Sequence, residues 1–199
     1  MARAGMSVVA VAALLLCLTP ALGQKSAAPR IQGPAMADAV TESVIDRLWN
    51  LTDRHYHEGE YNHIVHLCKV VYAGDPGHME AYSNAGYLLW SMGRDAEAVA
   101  VYEEGIAANP NSFFMYDELG LYYANRKKDY QRALTYYEKA AEFKDAPIPT
   151  LHMLAHCYAR TNQPEKELAI WRRAAKIPGN AVAKRNVERL ERALDGQKQ

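Results

Sequence analysis

The sequence predicts an all-α fold in which antiparallel helix pairs stack into a superhelix. Three observations carry this expectation. A pattern recurs about every 34 residues, apolar positions within each copy recur three and four apart, and no segment sustains an alternation of period two. Gly86 stands 34 residues before Gly120, Pro76 stands 34 before Pro110, and Gly59 stands 34 before Gly93. Ala98 and Ala133 are 35 apart, because one extra residue falls in the turn over 125–128. The repeats occupy 37–180 in all, and four copies are placed at about 45–78, 79–112, 113–147 and 148–180.

Local punctuation agrees with that period. Tyr82, Ala85 and Leu89, then Val99, Tyr102 and Ile106, mark two amphipathic helices within one copy. Gly59, Gly93 and Asn162 fall where the first helix of a pair must end in a left-handed residue. Asp75-Pro76 and Asn109-Pro110 end the second helix, since the residue before proline avoids the helical region. Gly86 with Ala98, and Gly120 with Ala133, are expected to remove bulk where paired helices cross. The stretches "AGYLL", "AEAVAVYEEGI", "LGLYYA" and "RALTYYEKAA" resemble the tetratricopeptide repeat. The resemblance implies a tetratricopeptide-type right-handed superhelix of antiparallel helix pairs. It also implies that first helices line a concave groove for a peptide or protein surface, without catalysis. Thr52 and Ile64 depart from the small residues of the pattern in the first copy, and Glu167 replaces an alanine in the fourth.

One helix pair cannot bury its own apolar face, so stacking supplies the core and terminal units need a polar outer side. Residues 181–195 suit a C-terminal capping helix: Val187, Leu190 and Leu194 form one stripe, and Lys184, Arg185, Arg189 and Arg192 cover the rest. At the other end, the first helix is expected to start near Ala37. Before it, residues 24–36 carry two prolines and a glycine and read as a flexible linker. Residues 1–23 have the layout of a secretory signal peptide: Arg3, an apolar run of 11 residues from Val8 to Leu18, then Pro20 and Ala21-x-Gly23. That run is short of the about 20 residues a membrane-spanning helix needs. Of the cysteines beyond the signal, Cys68 falls in the first copy and Cys157 in the fourth. Three repeat steps separate them, far beyond the ~7 Å Cα limit for a disulfide, so two buried reduced thiols are expected.

A formal net charge of zero gives no electrostatic support to nucleic-acid binding. The charge is unevenly placed, however. Residues 24–112 carry 6 basic and 12 acidic side chains, and residues 113–199 carry 16 and 11. In the repeat register, groove-lining positions fall at Trp49 and Asp53, Ser83 and Tyr87, Asp117 and Leu121, and His152 and His156. Asp46, Tyr56, Glu80 and Trp90 join them to make the N-terminal groove acidic and aromatic. The lysine and asparagine slots used by carboxylate-clamp members of the family hold Trp49 and Asp53 here, and Phe114 and Glu118 hold the later basic ones. Of that clamp only Asn84 matches, so a C-terminal carboxylate is not the expected ligand.

His152 and His156, four apart on a helix, raise a metal reading with Asp117 as third ligand. Met153 follows His152 where a zinc protease needs its glutamate, so no such motif is present. His55 and His57 point to different sides of a helix, and His63 and His66 share a convex, solvated face. The glycosylation sequon at Asn50 lies inside a predicted helix and is not expected to be used.

The sequence therefore predicts a non-catalytic scaffold, exported to periplasm, cell envelope or medium, that holds a protein or peptide partner in its groove. No cofactor, no resident metal, no nucleic acid and no stable membrane insertion after signal cleavage are expected, and the chain is read as a monomer or weak homo-oligomer. The alternatives are a metal-binding or catalytic protein built on His152 and His156, and a self-assembling structural element.

Overall fold

The computed structural model describes residues 33–196. The signal reading and residues 24–32 of the linker reading lie outside the described residues, as does the C-terminal tripeptide.

The described chain is helix throughout, with no strand among the described residues. Four antiparallel pairs follow one another: α1 (Pro34–Glu58) with α2 (Tyr61–Gly74), α3 (Met79–Ser91) with α4 (Asp95–Ala108), α5 (Phe114–Leu121) with α6 (Tyr130–Ala140), and α7 (Ile148–Arg160) with α8 (Pro164–Ala175). Helix α9 (Ala181–Gly196) closes the stack against α8. Helix α1 starts at Pro34, ahead of Ala37 and inside the stretch read as linker; proline at the first turn loses no helical hydrogen bond. Its early turns leave Met36, Val40 and Val44 exposed. No helix among the described residues is long and apolar enough to cross a membrane.

The first helices end by one repeated device. Gly59, Gly93 and Asn162 adopt φ of 76°, 81° and 54°. In each case the next amide closes the turn: Glu60 to the His55 carbonyl, Arg94 to Leu89 and Gln163 to Tyr158, at 2.9–3.0 Å. The third pair differs. There α5 widens into a π-helical segment, Tyr122–Lys127, and the closing bond runs from Asp129 to Tyr123, one residue longer than in the other copies. That π turn absorbs the extra residue that spaces Ala98 and Ala133 by 35. The tyrosine hydroxyl of Tyr122 donates to Asp95 at 3.0 Å, and Lys127 approaches the same carboxylate at 3.3 Å, so the widened turn is latched to the start of α4.

Packing explains the glycines, and corrects their expected role. A Cβ on Gly86 would stand 2.4 Å from the ring of Tyr102, and one on Gly120 would stand 2.9 Å from the ring of Tyr137. The missing side chain admits a tyrosine from the second helix, rather than only clearing space beside a facing alanine. Between repeats, Tyr72 and Tyr82 stack at 4.1 Å, and Gly105 lets Met115 approach. Glu167 is buried, yet its Oε1 accepts from the Trp171 indole at 3.1 Å and from Arg189 of α9 at 2.8 Å. The departure from alanine thus fastens the cap. Cys68 and Cys157 are buried and unbridged, and burial pushes both thiols up to about 12.

Replacing Gly86 by alanine forces the Tyr102 ring out of its seat. We expect a loss of about 1–3 kcal/mol in urea unfolding, as for other overpacked cores. The same change at Gly105, where the flexible Met115 side chain can give way, is expected to cost less.

Candidate functional site

Helices α1, α3 and α5 line one open surface, and their groove-facing positions follow from the 34-residue register. Phe114, Glu118 and Leu121 face Glu80, Ser83, Asn84 and Tyr87, with Trp49 at the near wall, around a depression of about 460 Å³. Trp49, Asn50, Asp53, Tyr56 and Asn84 line a second depression toward the N-terminal end. Tyr56, Tyr61, Tyr87 and Leu88 line a third beside it. Each of Trp49, Tyr56 and Tyr87 belongs to two of these depressions, so the three form one continuous aromatic surface. Tyr56, Tyr61 and Tyr87 are 51%, 40% and 48% exposed, a large apolar area to leave in water on a single face.

Carboxylates supply the polarity of that surface. Glu118 is half-buried, and burial pushes its carboxyl above the ordinary value. The Ser83 hydroxyl on the facing helix pulls it down, and the nearby Asp117 charge adds to the rise. Burial raises Asp117 too, partly opposed by the Thr150 hydroxyl, which donates to its Oδ1 at 2.6 Å. Beneath them the Tyr137 hydroxyl is buried without a hydrogen-bond partner, and the charges of Asp117 and Glu118 help push its ionisation further up, after burial itself. The Glu118 carboxyl therefore sits at the groove wall, with Asp117 behind it, and has less compensation than water would give.

The other positions read from sequence lie elsewhere. Asp46 is exposed on α1 outside the depressions. Trp90 is half-buried, meeting Tyr87 edge-on at 4.8 Å, with the Arg126 guanidinium 5.9 Å from its ring centre. Asp117 turns toward Thr150 in the next repeat. His152 packs on Trp171 at 5.0 Å between ring centres, and its Nε2 meets the Asn180 amide nitrogen at 3.0 Å. His156 is exposed beside Tyr130. Asp117, His152 and His156 thus have separate partners, and a joint metal site from the three is not assembled among the described residues.

Asn50, Tyr61 and Leu88 escaped the sequence reading, and Phe114 and Glu118 were read only as slots of a clamp that the chain lacks. The register contains most of the signal: Asn50, Asn84 and Glu118 are successive equivalents at 34 residues, as are Glu80 and Phe114. Tyr61 opens a second helix and has no such cue.

Residues 80–112 match the tetratricopeptide repeat family model. No curated protein matches the sequence. Among solved structures, MamA is similar at 20% identity over 70% of this chain and 85% of its own, with a TM-score of 0.55. YrrB, a tetratricopeptide protein with an unusual peptide-binding site, is similar at 18% identity over 81% and 84%, with a TM-score of 0.55. Yeast Tom70 is similar at 12% identity over 83% of this chain and 37% of its own, with a TM-score of 0.62. Helix pairs, matched repeat and structural likenesses together identify the fold of this chain as an all-α tetratricopeptide superhelix.

Proposed function

We propose that the chain is an exported, non-catalytic scaffold that captures an extended or helical segment of a protein partner in the groove of its first three helix pairs. The carrying observation is the joint lining of that groove by Trp49, Tyr56 and Tyr87 with the carboxylates of Glu80 and Glu118. Exposed aromatic rings offer apolar area and cation–π faces, and the Glu118 carboxylate, its proton affinity raised by burial, gains from a fixed positive charge. The segment that fits carries lysine or arginine flanked by apolar or aromatic residues. The similarity to YrrB, whose peptide-binding site is on record, supports a peptide as ligand. Export rests on the signal-like residues 1–23 alone.

Alanine at Trp49 or Tyr87 is expected to weaken capture of such a segment by roughly 30-fold each, the size of an aromatic hot spot, with helicity unchanged by circular dichroism. Capture unaffected by either change would leave the rings as packing elements.

Glu118→Gln separates binding from stability. A carboxyl raised above its unfolded value makes the folded state take up the proton first, so its charged form destabilises at neutral pH and the penalty fades as pH falls through the folded pKa. The variant should be more stable than the parent at neutral pH, with the difference shrinking on acidification. It should also bind the basic segment about 10- to 100-fold more weakly. A variant that loses both stability and helicity contradicts this reading.

Export is checked by N-terminal sequencing of protein recovered outside the cytoplasm. The expected first residue is Gln24; an intact Met1 there contradicts cleavage.

A further inference from the structure

Four of the seven histidines lie within residues 55–66, and none of the four lines the aromatic depressions. Contrary to the sequence expectation of separate, solvated side chains, the turn between α1 and α2 brings two of them together. Gly59 reverses the chain with φ of 76°, the Glu60 amide bonds the His55 carbonyl at 2.9 Å, and the His63 amide bonds the Glu60 carbonyl at 2.9 Å. His55 and His63 therefore stand four residues to either side of Gly59, with ring centres 4.2 Å apart. The Glu60 carboxylate lies between them, 2.6 Å from His55 Nδ1 and 3.7 Å from His63 Nδ1.

We propose that His55, Glu60 and His63 form a binding site for one zinc-class divalent transition-metal ion at the turn of the first helix pair. One ligand atom from each lies within 4.8 Å of the others. Two atoms bound tetrahedrally to one zinc stand about 3.3 Å apart at ordinary bond lengths, and the 2.6 Å and 3.7 Å separations here bracket that value. Side chains here have room to adjust: His63 and Glu60 are about half exposed. Two imidazoles and one carboxylate are a known zinc donor set, with a fourth position for water. Glu58, whose carboxylate lies 3.6 Å from His55 Nδ1, is within reach of that position. The nitrogen donors select against magnesium and calcium, which take oxygen.

The surrounding charges favour a cation. Among the described residues, the ion pairs of Glu58 and Glu60 are with histidine alone, so no lysine or arginine already neutralises them. His55 also occupies the last turn of α1, where the helix dipole presents its negative end. A metal here would clasp α1 to α2. It would thereby fix the wall that carries Trp49 and Tyr56, and any partner that needs that wall would bind more tightly with the ion in place.

The test uses full-length protein stripped with chelator and titrated with Zn(II) by calorimetry, with thermal unfolding in parallel. One ion per chain and a raised Tm are expected for the parent and for His152→Ala. His63→Ala should bind at least about 100-fold more weakly, since loss of a mere outer partner already costs 10- to 100-fold, and Mg(II) should have no effect. A parent that takes up no Zn(II), or a His63→Ala protein that binds as well as the parent, overturns the proposal. NMR of the unaltered chain gives a readout independent of any variant's folding. Zn(II) should shift the ring signals of His55 and His63 and spare those of His152; shifts confined to other histidines overturn the assignment.

Discussion

In the two central repeats a tyrosine ring seats over a missing side chain in the paired helix, and the placing of the groove-lining helices depends on that contact. Tyr102 closes on Gly86 and Tyr137 on Gly120, at distances that even one methyl group would violate. Carried along the register, the same two positions are Thr52 with Cys68 in the first pair and Ala155 with Trp171 in the fourth, all buried. As one partner grows from glycine to threonine, the other shrinks from tyrosine to cysteine. The first pair therefore trades volume between its partners, as a close-packed interior allows, while in the fourth both partners are larger than their central counterparts. Thr52, a departure from the repeat pattern when taken alone, is half of a compensated pair. Cys68 is the other half, which accounts for a buried, unbridged thiol without assigning it chemistry.

That rigid interior lets the groove hold charges at a cost. Asp117 and Glu118 are carboxylates whose burial is only partly offset by hydroxyls, above a Tyr137 hydroxyl with no partner. A looser stack would relax to solvate or neutralise them. Here the two carboxylates are consecutive residues of α5, held at fixed separation by the helix. Under the proposed function a bound segment would satisfy these partly compensated groups. The aromatic rings beside them are in the same condition, exposed where a monomer gains nothing from exposing them.

The fold was legible because it is written in periods and punctuation, both local. Gly59, Gly93 and Asn162 specify left-handed ends wherever they occur in this register, and the helices end there. The groove was legible in part. Its axis follows from the register, and Trp49, Asp53, Tyr56, Glu80, Ser83, Tyr87 and Leu121 line it. What register cannot give is the direction a side chain takes once a nearer partner competes for it. Asp117 found Thr150, and the His152 ring found Trp171 and Asn180, because those partners lie in neighbouring turns whose approach is set by three-dimensional packing. The meeting of His55 and His63 was hidden for the opposite reason. Helical spacing separates residues on different helices, and only the reversal at Gly59 joins them.

The uneven charge along the chain acts in a way its size alone does not suggest. Successive repeats step by about 9 Å, while charges in physiological salt are screened over about 8 Å. An approaching segment therefore feels one repeat at a time rather than a dipole spanning the molecule. In the C-terminal half part of the basic charge is already engaged: Arg189 holds Glu167 and Arg172 holds Glu191. The depression beside Trp49 and Tyr87 is different, since Glu80 of the acidic N-terminal half and Glu118 just beyond it both face it. For the proposed basic segment, the free attraction is thus concentrated where the apolar surface also lies. Encounter and capture of that segment would then occur at the same place.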